Sequence, residues 1–299
     1  MFIMFSSKHY TDKTKNYGDC FLYINNGQAI VYDCGSVEHA ERVIKLLDKY
    51  GISKTDVILS HNDSDHFNGI PYLIEQGYVN KLFTNLLLKY KDDILDKIDD
   101  GRRNRESIGN AIKEAYDNIA SLSGTVELRD IYENSNELPE HVTCIGPSCE
   151  YMIAAVAKGL DGRQGNTSDK ETIINVTSLQ IQLDFADKKL LLTGDCSADA
   201  ISEDVDLRKY QYIQLPHHGK YVHAEKIFER VGNNFLNLFL VSDNTGNSIG
   251  GSDELMGNRK GRRIQNTKKD GDYTIEDTGA SKNMNGYIPP ILAGGTLGI

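Results

Sequence analysis

Residues 21–66 confine the fold more than any other stretch. FLYI (21–24) and AIVY (29–32) flank Asn25-Asn26-Gly27, and Asn-Gly supplies the positive φ that a tight β-hairpin turn requires. Residues 37–50 then place Val43, Leu46, Leu47 and Tyr50 at helical spacing, Gly51 stops the helix, and residues 56–59 resume as a strand. Hairpin, helix and strand make a βαβ-like unit, so an α/β fold is expected. The last strand runs directly into SHNDSDHFNG (60–69), which crowds His61, Asp63, Asp65 and His66 into six positions.

The second half is strand-rich. Residues 142–145, 177–185 with alternating Leu179, Ile181, Leu183 and Phe185, 189–193, 212–215 and 238–241 all read as strands. Between the halves, residues 86–123 are mostly charged, with Ile94, Leu95, Ile98, Ile108, Ile112, Ala115 and Ile119 as an interrupted apolar stripe. This predicts a helical pair inserted at about 86–140, within a single domain spanning 1–299. The Gly-, Asn- and Ser-rich segment from 246 to 299 has the weakest pattern. A 39% hydrophobic content fills a substantial core, and no run approaches the roughly 18 apolar residues of a membrane span. Cys20, Cys34, Cys144, Cys149 and Cys196 are odd in number and scattered, which fits a reducing cytoplasm rather than a disulfide framework.

The strand ends carry the chemistry. Asp33-Cys34-Gly35 closes the hairpin, Thr193-Gly194-Asp195 follows another strand, and Pro216-His217-His218-Gly219 follows a third. A hydrolytic metal site needs nitrogen donors, carboxylates and one carboxylate able to bridge two cations, with positions left open for substrate. His61, Asp63, Asp65, His66, Asp195 and His218 meet that inventory. Taken singly, Thr-Gly-Asp reads as an ordinary turn, and the histidine pair reads equally as metal ligands or as exposed or capping residues. A calcium loop is excluded, because Phe67 and Asn68 stand at the fifth-ligand and glycine places and Ile74 at position twelve. Cys34 and Cys196 each follow an aspartate of these motifs and by strand alternation should point away from it.

With HxDxDH at 61–66, GDCFLYINNGQAIVYDCG, NVTSLQIQLDFADKKLLLTGDCS and IQLPHHG, the chain resembles the metallo-β-lactamase-fold hydrolases. It is similar in particular to the hydrolase domain of bacterial competence DNA-uptake channels and to the phosphorylcholine esterase branch. The usual first signature is His-x-His-x-Asp-His, and here Asp63 replaces the second histidine. The resemblance runs from about 18 to 219 and is weakest across 86–140. It implies a four-layer αββα sandwich with a di-metal centre at one edge. His61 and Asp63 would hold one metal, Asp65 and His66 the other, with Asp195 bridging and His218 completing the second site; His217 and His218 are not separated as ligands. Asp33 and Asn175 would stand behind the ligands, and Asp65, His217 and Lys220 are candidates for a direct part in the chemistry. Many relatives carry a histidine where this chain offers Asn175, Thr177 and Ser178, which weakens the first site. Mixed His/Asp donors suit Zn²⁺ or Mn²⁺.

A net charge of −10 argues against a surface that grips duplex nucleic acid everywhere, because that affinity comes from Lys and Arg. Two local basic runs remain: Arg102, Arg103 and Arg105, and Arg259, Lys260, Arg262 and Arg263 followed by Lys268 and Lys269. The resemblance implies a phosphodiesterase or nuclease acting on nucleic acid or nucleotides, phage defence included, and by its charge the run Arg259, Lys260, Arg262 and Arg263 is a candidate guide for the phosphates. The bland reading of either run is a solvated face. Two alternatives stand beside this one. The first is a binding or regulatory protein with a reduced metal site, docking a partner through the helical insert or the tail NGYIPPILAGGTLGI. The second is a hydrolase of small esters or lactones.

Overall fold

The computed structural model describes residues 1–98, 105–160, 167–168, 171–185, 187–233, 236–247 and 251–276. Arg102, Arg103 and the tail NGYIPPILAGGTLGI lie outside the described residues. The first strands are β1 (Phe2–Met4), β2 (Cys20–Asn25), β3 (Gln28–Cys34), β4 (Thr55–Ile58), β5 (Val79–Thr84), β6 (Glu127–Asp130) and β7 (Val142–Gly146). They are followed by β8 (Thr167–Ser168), β9 (Glu171–Thr172), β10 (Gln180–Phe185), β11 (Lys188–Leu192), β12 (Tyr212–Gln214), β13 (Leu238–Val241), β14 (Ile264–Asn266) and β15 (Tyr273–Ile275). One sheet has the order β15-β1-β2-β3-β4-β5-β6 and the other β14-β13-β12-β11-β10-β7. A two-residue ladder joins β8 and β9.

Side-chain alternation along these strands builds the layers. Phe2, Met4, Phe21, Tyr23, Ile30 and Tyr32 from the first sheet meet Ile181, Leu183, Leu190 and Leu192 from the second, with Leu179 just before β10, in the central core. The other face of the first sheet, with Leu22, Val31 and Val57, packs under Val43 and Leu47 of the Val37–Lys49 helix. The other face of the second, with Leu191, Ile213 and Phe239, packs under Ala224, Ile227 and Phe228 of the Tyr221–Val231 helix. The result is an αββα sandwich. Cys34 and Cys196 sit in the two outer cores, turned away from the aspartates beside them.

The β2–β3 hairpin turns through Asn26 and Gly27, both at positive φ, as Asn-Gly dictates. Residues 86–140 are more than a helical pair. After helices Lys91–Lys97 and Arg105–Ala120, the chain returns to the first sheet as β6, parallel to β5. Ile94, Leu95 and Ile112 from this stretch share a fourth core with Met152, Ile153 and Val156 of the Cys149–Leu160 helix. Beyond residue 246 the chain closes both sheets, since β14 pairs with β13 and β15 with β1. The strand expected at 177–185 starts only at Gln180, because Thr172 caps a short helix over Ile173–Val176 by accepting from the Asn175 amide.

Two parallel sets place the site. β3 runs parallel to β4, and β11, β12 and β13 run parallel to one another, so each set delivers its carboxyl ends to one edge. The edges meet where Leu179 donates its amide to the Ser60 carbonyl at 3.0 Å and the Tyr32 hydroxyl donates to the Leu179 carbonyl at 2.7 Å.

Candidate metal centre

Asp33, the penultimate residue of β3, stands at φ 55° and turns its carboxylate into this edge. It accepts the Ser60 amide and the Ser60 hydroxyl, each at 2.7 Å, and lies 2.8 Å from Nδ1 of His66. A carboxylate at Nδ1 takes that proton and leaves the Nε2 lone pair facing inward, the usual support of a ligating imidazole. His66 Nε2 then stands 3.3 Å from Asp195 Oδ1. His218 is built the same way from the other sheet: its Nδ1 lies 3.1 Å from Asp19 and 3.0 Å from the Ser242 carbonyl. Its Nε2 lies 3.1 Å from Asp65 and 3.5 Å from Asp195. One donor atom from each of Asp19, His66, Asp195 and His218 lies within 4.8 Å of the others. Because Asp19 touches Nδ1 rather than Nε2 of His218, it orients that ring, and Asp65 is the carboxylate on the Nε2 side.

Asp65 is held by its backbone as much as by its side chain. Its carbonyl accepts the Asp19 amide at 2.9 Å and is flanked by Gly18 and Gly35, where an added Cβ would stand 1.7 and 2.0 Å from that oxygen. Its Oδ2 accepts from the Asn16 amide side chain at 2.9 Å. His61, its ring centroid 4.1 Å from that of His66, directs Nδ1 to the hydroxyls of Ser60 (2.8 Å) and Ser178 (3.2 Å), with Nε2 3.6 Å from Asp63. His217 Nε2 lies 3.9 Å from Asp195. The turn that presents His217 and His218 holds both in the left-handed region, at φ 51° and 52°. Three of the five non-glycine residues with positive φ among the described residues are therefore Asp33, His217 and His218. Backbone strain of this kind persists where surrounding structure holds it, and it clusters at functional sites.

The donor set fits divalent cations. His61 Nε2, His66 Nε2 and Asp195 Oδ1 are buried with no hydrogen-bond partner. Leaving such atoms unmatched costs about 1–3 kcal/mol each, and a cation satisfies imidazole and carboxylate lone pairs together. Burial works against a proton on His66 and His218, yet Asp195 with Asp33, and Asp195 with Asp19, push both well above the ordinary histidine value. The same carboxylates that favour positive charge on these imidazoles would favour a dication in place of the proton. Burial alone would raise Asp65, but the hydrogen bond from His218 and the charge of His66 hold it below the carboxylate range.

The remaining sequence candidates sit around this centre. Asn175 donates to Glu171 at 3.2 Å, and Lys220 directs its ammonium to Glu171 at 2.6 Å. Asp63 is the outermost acidic candidate, its side chain 39% exposed. Arg259 to Arg263 run along the Tyr221–Val231 helix, where Lys260 pairs with Glu225 at 2.5 Å and Arg262 donates to the Phe228 carbonyl at 3.1 Å. Sequence reasoning passed over Asp19, although it lies inside a quoted motif, and Glu171, which lies in none.

Residues 14–106, about a third of the chain, match the family model described as the metallo-beta-lactamase superfamily. The matched stretch includes Asp19, Asp33 and the whole of 61–66. No curated protein matches. Among solved structures, the metallo-beta-lactamase fold protein YhfI from Bacillus subtilis is 12% identical, with 91% of this chain and 98% of that chain covered and a TM-score of 0.49. A diphosphatase of the PhnP family is 14% identical over 87% of this chain and 85% of that chain, with a TM-score of 0.45. The short form of human tRNase Z is 11% identical over 92% and 100%, with a TM-score of 0.43. The two facing sheets with their outer helices are consistent with the metallo-β-lactamase sandwich.

Proposed function

We propose that the protein is a di-metal hydrolase of phosphodiesters, in nucleic acid or nucleotides. The observation that carries this reading is the set of buried, unpartnered donors around Asp195, His61 Nε2, His66 Nε2 and Asp195 Oδ1, approached from strand ends of both sheets. Asp65, His66, Asp195 and His218 would hold one Zn²⁺ or Mn²⁺, and His61 and Asp63 with Asp195 the other. When bound, such a pair supplies Lewis acidity and an activated water near neutral pH. The protein's part is orientation. Asp33 and Asp19 fix the rings of His66 and His218, Asn16 and the Asp19 amide fix Asp65, and His217, its side chain 19% exposed, faces the open side where a phosphoryl group enters.

The test combines elemental analysis of the purified protein with hydrolysis of bis-p-nitrophenyl phosphate, single-stranded DNA, RNA and a lactone. Close to two Zn²⁺ or Mn²⁺ per chain, with turnover of a phosphodiester but not the lactone, is the expected result. Metal-free protein that cannot be loaded, or turnover of the lactone alone, overturns it.

A further inference from the structure

Glu171 belongs to no motif, yet it ties three segments of the site together. Its side chain is 2% exposed. Oε1 accepts from Lys220 at 2.6 Å and from His223 Nε2 at 2.7 Å; Oε2 faces His217 Nδ1 at 2.9 Å and Asn175 Nδ2 at 3.2 Å. A buried carboxylate survives only when its lone pairs are used, and here four groups use them. Burial alone would raise its pKa, but the hydrogen bonds from His217 and His223, with that from Lys220, hold it well below the carboxylate range.

The hydrogen bonds also specify proton positions. The Ala198 amide, three residues past Asp195, donates to His223 Nδ1 at 3.2 Å, so the His223 proton sits on Nε2 and is given to Glu171. His217 Nδ1 has the Glu171 carboxylate at 2.9 Å and the Asn175 amide nitrogen at 3.4 Å. Only the carboxylate can accept, so the Nδ1 proton goes there and Nε2 keeps its lone pair toward Asp195, 3.9 Å away. His217 needs such an anchor, because its backbone is held at positive φ, and its side chain reaches solvent further than those of His61, His66 or His218.

We infer that Glu171 is the positioning residue of His217: by accepting the Nδ1 proton it keeps Nε2 aimed at the open side of the centre, where the scissile phosphoryl group binds. The inference rests on the phosphodiester reading, and it names the residue that orients the substrate-facing histidine.

The experiment measures Glu171→Gln and Glu171→Asp in metal-loaded protein, together with ¹⁵N NMR of the histidine rings. Wild-type His217 should show the proton on Nδ1. Glu171→Gln should keep two metals and a KM within about twofold, lose about 10- to 100-fold in kcat, and lose the Nδ1–H form of His217. Glu171→Asp keeps the charge but is one methylene short, and its kcat should fall between wild type and Glu171→Gln. If Glu171→Gln does not fold, the Asp variant is read in the same way. A kcat per metal-loaded molecule within twofold of wild type, or a wild-type His217 protonated at Nε2, overturns the inference. A wild-type protein that cleaves no phosphodiester overturns the proposed function, and the ring NMR still decides whether Glu171 sets His217.

Discussion

The two sides of Asp195 are built to different standards. On the His66 and His218 side, each imidazole has a buried carboxylate behind Nδ1, Asp33 or Asp19, and Asp65 is gripped from backbone and side chain. On the His61 side, the ring is backed only by the neutral hydroxyls of Ser60 and Ser178, and Asp63 is partly exposed to solvent. A carboxylate behind the ring raises ligand basicity and fixes its direction, whereas a hydroxyl fixes direction alone. On the proposed di-metal reading, the first side would hold its cation firmly and the second would hold a looser one with coordination positions free for substrate.

The largest effect should come from removing what the two sides share. Asp195→Ala deletes the carboxylate that faces His66, His218 and His217 at once, and should cost at least about two orders of magnitude in kcat together with metal from both sides. Metal analysis with kinetics on bis-p-nitrophenyl phosphate checks it. Retained activity would show that the two sides do not share a bridge.

The asymmetry itself is tested one step out from the ligands. Asp33→Asn should cost about 10- to 100-fold in metal affinity or rate, since the amide cannot take the His66 Nδ1 proton as a carboxylate does, while Ser178→Ala should cost less than tenfold. Chelator titration of each variant separates the sides. A Ser178→Ala loss equal to that of Asp33→Asn would erase the distinction drawn here.

How legible these sides were in the sequence follows from the range of the interactions. The β2–β3 hairpin, the Val37–Lys49 helix and the donors of 61–66 were readable because each is specified within a dozen residues. Asp19 was not, because its role depends on His218, 199 residues along the chain. Glu171 was not, because the groups that fix its role, His217, Lys220 and His223, lie 46 to 52 residues away. The short strands β1, β14 and β15, the last two at sheet edges, have three residues each, too few for period-two alternation to show. They form because neighbours offer unpaired backbone, a cause that no local pattern records.

The Asp65 side has a further dependence on pH through the N-terminal loop. His39 is fully buried, with Nδ1 2.8 Å from the Tyr10 hydroxyl and its ring against Tyr17, next to the Asn16 that holds Asp65. Burial, aided by the Arg42 charge and weakly by Lys15, pushes it down to about 3. The folded value lies below the unfolded one near 6.5, so the unfolded chain binds a proton that the folded chain refuses. The contribution of neutral His39 is therefore complete above about pH 6.5 and is lost as pH falls, by about 2 kcal/mol at pH 5. His39→Gln should shrink the stability difference between pH 7 and pH 5 by that amount in denaturant titrations. An unchanged difference would detach the loop from this titration.

The smallest effect concerns the basic run, and the structure divides it. Lys260 and Arg262 are engaged by Glu225 and the Phe228 carbonyl on the Tyr221–Val231 helix, whereas Arg259 and Arg263 are exposed. Each phosphate contact contributes about one unit to the slope of log affinity against log salt, so neutralising Arg259 and Arg263 can lower that slope for single-stranded DNA by at most about two units. A small phosphodiester that never reaches the run should be cleaved with unchanged KM and kcat. If the run guides a phosphate chain to the looser His61 side, the double variant raises KM for DNA alone. If kinetics on both substrates stay as in wild type across the salt series, the run is a solvated flank of the helix, and nucleic acid loses its preference over a small phosphodiester as the substrate of this centre.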